Sequence, residues 1–175
     1  GFMFRRGGEG FISDIAQLNR KVRAAYPDVP VFMVASGMGA AGARCFIKEH
    51  DADINGLVLL GTICHSAFSQ PARIIGSVAS KRPGSRFRSE KIFDTIDDCF
   101  GKFYEDPINS WRCSDPDVVL AYNEDPLCNF KPTLNAYQEL LWLVKQFELG
   151  RGWKTANLSL PIRFISGRDD SAMIS

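Results

Sequence analysis

Apolar residues recur at Phe11, Ile15, Leu18 and Val22, with Asn19, Arg20, Lys21 and Arg23 set between them. Spacings of this kind place one apolar stripe on a helix, so the pattern predicts an amphipathic helix from about Phe11 to Tyr26. Pro27 and Pro30 end it, with Asp28 in the turn, and Val31 to Ala35 reads as a strand. A glycine-rich turn follows. Ala40 to Glu49 is then a second helix, whose Ala40, Ala41, Gly42 and Ala43 allow close approach to a sheet. Ile54 to Leu60 is apolar almost throughout, as expected of a strand buried on both faces of a parallel sheet. Strand, helix and strand with short links make a βαβ unit, which sets the class as α/β.

After Thr62 this regularity fails. Helical pieces are predicted near 71–79, 89–99 and 115–122, and no strand emerges among them. Residues 133–149 form a clear helix with Tyr137, Leu140, Leu141, Val144 and Phe147 on one face. Leu160 to Ile165 is a third strand, followed by Ser166-Gly167-Arg168-Asp169-Asp170. A long helical and irregular insertion therefore separates two sheet-forming segments.

The chain of 175 residues is long enough for one domain with a proper core and too short for two ordinary ones. With 21 basic against 20 acidic residues, nothing in the charge balance calls for a nucleic-acid partner. No apolar run approaches the ~20 residues that cross a bilayer, so no transmembrane segment is expected. The five cysteines, at 45, 64, 99, 113 and 128, contain no C-x-x-C pair. An odd, scattered set argues against a disulfide framework and, with His50 and His65 as the only histidines, against a metal site. Reduced thiols and a cytoplasmic setting follow, with no cofactor expected.

The turn between the first strand and the second helix decides the chemistry. Gly37-Met38-Gly39-Ala40-Ala41-Gly42 spells G-x-G-x-x-G, a pattern that lets a pyrophosphate approach a helix N-terminus. A dinucleotide site also wants an acidic residue at the end of the next strand, about 20 residues on. That strand ends Leu60-Gly61-Thr62, and Asp51 and Asp53 lie before it, at the wrong pole of the sheet. The oxidoreductase reading through Gly37, Gly39 and Gly42 is therefore a remote alternative. Ala35-Ser36-Gly37-Met38-Gly39 instead approaches G-x-S-x-G, the strained elbow that presents a nucleophilic serine, with glycine where the serine belongs.

Further motifs support the elbow. Asp14-Ile15 lies in the preceding helix, and Pro30-Val31-Phe32 opens the strand. Met38-Gly39 follows the nucleophile position. Gly56-Leu57-Val58-Leu59-Leu60-Gly61-Thr62 matches a strand of the type G-L-V-L-x-G-T. Trp111, Asp115, Tyr122 and Asp125-Pro126-Leu127-Cys128-Asn129-Phe130 follow the order W-x-x-x-D, then Y-x-x-D-P-L-C-x-F. Pro161 to Asp170 is similar to a strand ending in S-G-x-x-D. In this order the motifs resemble the α/β-hydrolase superfamily. More narrowly, the chain resembles the serine aminopeptidase S33 group, which includes monoacylglycerol lipases and bacterial lysophospholipases. The resemblance covers roughly residues 7 to 175. It implies a single partial α/β-hydrolase domain over 1–175, with residues 63–132 inserted as a cap. It also implies a Ser-His-Asp triad acting on a small acyl-ester or lipid-like ligand. Asp170 falls on the acid position, Gly37 on the nucleophile position, and the Met38 amide on one oxyanion donor. Ser36 takes the place of a family histidine that is not the triad base.

The departures from the family are as informative. Glycine at 37 has no side chain to attack with. The triad histidine of the family lies beyond Ser175 in its order, and the H-G loop carrying the second oxyanion amide precedes residue 1. Ser171-Ala172 replaces the usual P-V after the acid. Ser36 does not substitute, because heading G-x-S-x-G would need glycines where Val34 and Met38 stand. The sequence thus predicts a hydrolase ancestry with negligible esterase activity; the alternative is a non-catalytic, hydrolase-like binding protein. Self-association is expected of so incomplete a sheet. Plainer readings hold elsewhere. Asp169-Asp170 without the family match is a solvated turn. His65 is a loop bystander, and His50 closes a helix in keeping with its dipole. Arg73, Lys81, Arg82, Arg86, Arg88 and Lys91, interleaved with Phe87 and Phe93, make a solvated surface. Cys128 is a packed residue rather than a reactive thiol.

Overall fold

The computed structural model describes residues 6–63, 72, 74–76, 86–88, 90–99 and 109–170. In chain order these form α1 (Gly7–Ala25), β1 (Phe32–Ser36), α2 (Met38–His50), a 3₁₀ turn (Asp51–Asp53) and β2 (Gly56–Leu60). There follow α3 (Glu90–Cys99), a second 3₁₀ turn (Ser110–Arg112), α4 (Pro116–Glu124), α5 (Leu134–Glu148) and β3 (Ile162–Ile165). The three strands make one parallel sheet in the order β1-β2-β3. Where it is described, the insertion predicted between the second and third strands carries helices joined by irregular links and no strand, and His65, Arg73, Lys81 and Arg82 lie outside the described residues.

Helix α2 organises the core. Ala40, Ala43, Phe46 and Ile47 pack with Ile54, Leu57 and Leu59 beneath it, joined by Ala16 of α1. Its Ala41 and Cys45 pack with Leu134, Leu143, Val144 and Phe147 of α5 and with Ile63 and Ile75. The helix therefore lies between the sheet on one side and α5 on the other. A small residue also lets α1 close on it: a β-carbon on Gly42 would come within 2.5 Å of the Phe11 ring of α1.

Most boundaries fall within two residues of the sequence expectation; α1 does not. It begins at Gly7, four residues before Phe11, although Gly7, Gly8 and Gly10 disfavour helix. Tertiary contact overrides the propensity here. The Gly8 N–H donates to Glu139 Oε2 at 2.9 Å, and a β-carbon on Gly8 would strike the Trp142 ring. The third strand is shorter than expected because it starts at Ile162, after a proline that has no N–H for the ladder. Pro161 still contributes its carbonyl, which accepts from the Leu57 N–H at 3.0 Å.

Only one face of the sheet is helix-covered among the described residues. Opposed residues of a parallel ladder point to the same side, so the register groups Met33, Leu57, Leu59, Ile162 and Phe164 on the α2 face. Phe32, Val34, Val58 and Ile165 share the other. There Phe32 and Val34 are 65% and 64% exposed and Ile165 is exposed as well. Even on the helical face Ile162 and Phe164 remain exposed beside a cavity of about 160 Å³ lined also by Arg44, Ile47, Leu59, Phe147 and Trp153.

Candidate active site

The C-terminal ends of the three strands meet at one edge, where open α/β sheets bind ligands. The Gly37 N–H donates to Leu60 O at 3.2 Å, and the Gly61 N–H donates to Ile165 O at 2.9 Å. These two bonds bring the turn after β1, the turn after β2 and the turn after β3 side by side. Their residues are Gly37-Met38, Gly61-Thr62 and Ser166 to Asp170.

Gly37 connects β1 to α2 at φ +52°, ψ −120°, a conformation that side-chain-bearing residues avoid. Its carbonyl accepts from the Ala41 N–H at 3.3 Å, the first bond of α2. A β-carbon built on Gly37 meets no atom of the described residues within 4 Å. The turn is thus bent as an elbow and open above, with nothing projecting from it. Met38 begins α2, so its amide belongs to the first helical turn, where N–H groups point out of the helix and favour negative charge. Ser36 is the last residue of β1 and lies within the regular ladder opposite Leu60, one residue short of the bend.

Asp170 arrives at the same edge from the turn after β3. Its N–H donates to Gly167 O at 3.4 Å, and Ser166 Oγ donates to Asp170 Oδ2 at 3.3 Å. The same oxygen lies 3.3 Å from the place a β-carbon would occupy on Gly61, which is itself at φ +50°. Gly61 and Ser166 therefore seat the carboxylate against the end of β2, while Asp169 beside it is exposed. The sequence singles out neither contact, although a glycine closing an apolar strand is the available signal. Nor does it single out Arg44. Its Nη1 donates to Ile63 O at 3.3 Å and Thr62 Oγ1 at 3.4 Å, and its guanidinium lies 3.6 Å over the Phe147 ring.

The family model described as serine aminopeptidase, S33, matches residues 5–173. The chain belongs to the serine aminopeptidase S33 family. Among solved structures it is similar to a lipase in an open form, with 20% identity over 95% of this chain and 55% of that one, at a TM-score of 0.77. A thermostable carboxyl esterase from Bacillus coagulans, in complex with glycerol, aligns with 24% identity over 77% of this chain and 44% of its own, at a TM-score of 0.61. A soluble variant of monoglyceride lipase from Saccharomyces cerevisiae, bound to a substrate analogue, aligns with 12% identity over 93% of this chain and 60% of its own, at a TM-score of 0.55. The chain thus spans about half the length of these structures, and its fold is a partial α/β-hydrolase fold. No curated protein sequence matches it significantly.

Within this S33 chain the other motif residues have local structural duties. Asp115 caps α4 by accepting from the Asp117 N–H at 3.0 Å, with Pro116 at the first helical position. Asp125 Oδ1 accepts from the Leu127 N–H at 2.7 Å. The Arg112 guanidinium lies 4.3 Å from the Trp111 ring centroid and 5.0 Å from that of Tyr122. Cys128 Sγ lies 3.5 Å from Asp125 Oδ2, and partial burial, with that carboxylate next, raises its pKa, in keeping with a packed thiol. His50 closes α2, its ring stacked on Phe46 at 4.9 Å and its Nδ1 2.9 Å from Asp53 Oδ2. That pair sits at the start of β2, the end of the sheet opposite Gly37 and Asp170. The third glycine of the G-x-G-x-x-G pattern, Gly42, serves the α1–α2 contact already described.

Proposed function

We propose that this chain descends from a hydrolase of carboxylic esters, of the acylglycerol or lysophospholipid type, and that with glycine at 37 it does not turn such esters over. The observation that carries the reading is the elbow itself: a positive-φ turn, open above, at the edge that also holds Asp170. In a triad hydrolase the serine oxygen attacks the acyl carbon as the histidine removes its proton, and the carboxylate fixes the histidine. Backbone amides at the start of the helix hold the negative oxygen of the tetrahedral intermediate. Asp170 suits the carboxylate role and the Met38 amide the oxyanion role. Position 37 supplies no attacking atom. Loss of a triad member leaves a rate lower by roughly 10⁴- to 10⁶-fold, from binding and the oxyanion donors alone.

The names of the similar structures, a lipase, a carboxyl esterase and a monoglyceride lipase, support an acyl-ester or lipid-like ligand. The free thiols of Cys45, Cys113 and Cys128 support a cytoplasmic setting. Among the described residues no helix is long and apolar enough to cross a membrane. Hydrolysis of p-nitrophenyl butyrate tests the reading. The expected result is no turnover above background; turnover that Ser36→Ala abolishes would overturn it.

A further inference from the structure

The ladder between β1 and β2 begins at Phe32 and Gly56, so Val31 and Asn55 stand one residue before it. They are bonded twice all the same. The Asn55 N–H donates to Val31 O at 2.7 Å, and the Val31 N–H donates to Asn55 Oδ1 at 2.8 Å. The carboxamide thus takes the place of a backbone carbonyl, and a residue without an acceptor at 55 would leave the Val31 N–H unpaired. Position 56 has its own requirement. Gly56 is buried, and a β-carbon there would come within 2.8 Å of the Phe32 ring and 3.5 Å of Pro161. The central strand therefore opens on asparagine followed by glycine, and this is the one Asn-Gly pair in the sequence.

That pair has chemistry of its own. Asparagine is among the heat-labile side chains, and a following glycine leaves the next backbone nitrogen unshielded and its rotation free. The Gly56 nitrogen forms a bond to Asn55 Cγ and gives its proton to solvent base, while ammonia leaves from Cγ. Water then opens the resulting succinimide. Attack at Cγ returns an ordinary backbone with aspartate at 55. Attack at the backbone carbonyl carbon leaves isoaspartate, in which the chain runs through the former side chain. Two restraints oppose ring closure in the folded chain. The carboxamide is held by Val31, and the Gly56 end of β2 is paired with β1 and, through the Leu57 N–H, with Pro161 O at 3.0 Å. Closure needs this end of the ladder to open, which costs less than unfolding the whole.

We propose that Asn55 is a self-modifying site, converted to aspartate and isoaspartate at a rate set by release of its carboxamide from Val31. The two products differ in consequence. Aspartate keeps an acceptor within reach of the Val31 N–H. Isoaspartate adds a methylene to the backbone beside Ile54, a buried member of the core under α2, and so loosens the start of the β1–β2 ladder.

Incubation of the chain in mildly alkaline buffer, folded and in urea, tests this, with peptide mass spectrometry following each asparagine. In urea the amide-to-acid mass change is expected at Asn55 before any other asparagine, with both products formed. In the folded chain the same conversion is expected to be slower by roughly tenfold or more. Val31→Pro removes the donor to Oδ1 and is expected to speed conversion in the folded chain, far-UV circular dichroism checking the fold. Asn55→Asp is expected to melt close to the unsubstituted chain, and the isoaspartate form, separated by chromatography, below it. Equal rates at Asn55 folded and in urea, conversion of another asparagine first in urea, or no acceleration in a folded Val31→Pro would overturn the proposal. The comparison with urea decides the matter where Val31→Pro does not fold.

Discussion

Asp170 Oδ2 lies 3.3 Å from the position a β-carbon would take on Gly61, so the end of β2 and the turn after β3 approach closely enough that a methyl group there would press on the carboxylate. Gly61 is also at φ +50°. Gly61→Ala is therefore expected to cost about 1–2 kcal/mol from backbone strain and to displace the Asp170 carboxylate slightly. Urea unfolding measures the first effect. A change in the Asp170 side-chain NMR signals, absent in Ser13→Ala on the exposed side of α1, measures the second.

Gly42 makes a different demand. Its α1–α2 contact leaves no space for a methyl group, so Gly42→Ala is expected to destabilise the fold by about 1–3 kcal/mol through overpacking. Because the glycine is explained by packing, added NAD or FAD is expected to leave the melting temperature of the unsubstituted chain unchanged. A rise of several degrees with either nucleotide would restore the dinucleotide reading.

Asp51 ties the 3₁₀ turn before β2 to the approach to β3. Its carboxylate accepts from the Ala156 N–H at 2.9 Å and the Asn157 N–H at 2.9 Å. These bonds, that from Asn157 foremost, hold its pKa below the ordinary carboxylate value against the opposing effect of burial. A lowered folded-state pKa gives stability that is fully present above the unfolded value and is lost as pH falls through the folded one. The stability of the unsubstituted chain is thus expected to fall below about pH 4 more steeply than that of Asp51→Asn. At neutral pH Asp51→Ala is expected to cost about 1–3 kcal/mol, by leaving two amides unpaired. Urea titrations from pH 7 to pH 3 check both.

Cys45 is buried between α2 and α5, its Sγ 3.5 Å from Leu143 O. Burial pushes its pKa up to about 11, against the opposing charges of Lys48 and Arg44. The thiolate is the reactive form. At pH 8 a disulfide reagent is expected to label the half-buried Cys113 well before Cys45, with Cys45 labelling accelerated by urea. Peptide mass spectrometry follows each site, and equal rates at Cys45 and Cys113 would show that this core is open.

Much of this architecture is legible in the sequence because its signals are local. The apolar run at Leu57 to Leu60 and the helical period around Tyr137 to Phe147 each announce their own element. The elbow is legible because glycine between an apolar strand and a helix of small residues has few other uses. What the sequence hides is contact between distant segments. Gly8 is helical because Trp142 and Glu139 come from α5 to meet it. Asp51 is spent on amides at Ala156 and Asn157, which no spacing rule links to it. Gly61 and Ser166 become partners of Asp170 only when β2 and β3 lie side by side. Apolar residues in β3 likewise predict burial, yet Ile162 and Phe164 stand exposed because, among the described residues, little covers that end of the sheet.

By the proposed function, position 37 keeps the bend of a nucleophile elbow without a nucleophile. Intact-mass spectrometry after incubation with a fluorophosphonate tests it most directly, because the probe adds covalently to an activated serine. The expected result is an unmodified mass. A stoichiometric adduct mapped to Ser36 would contradict it.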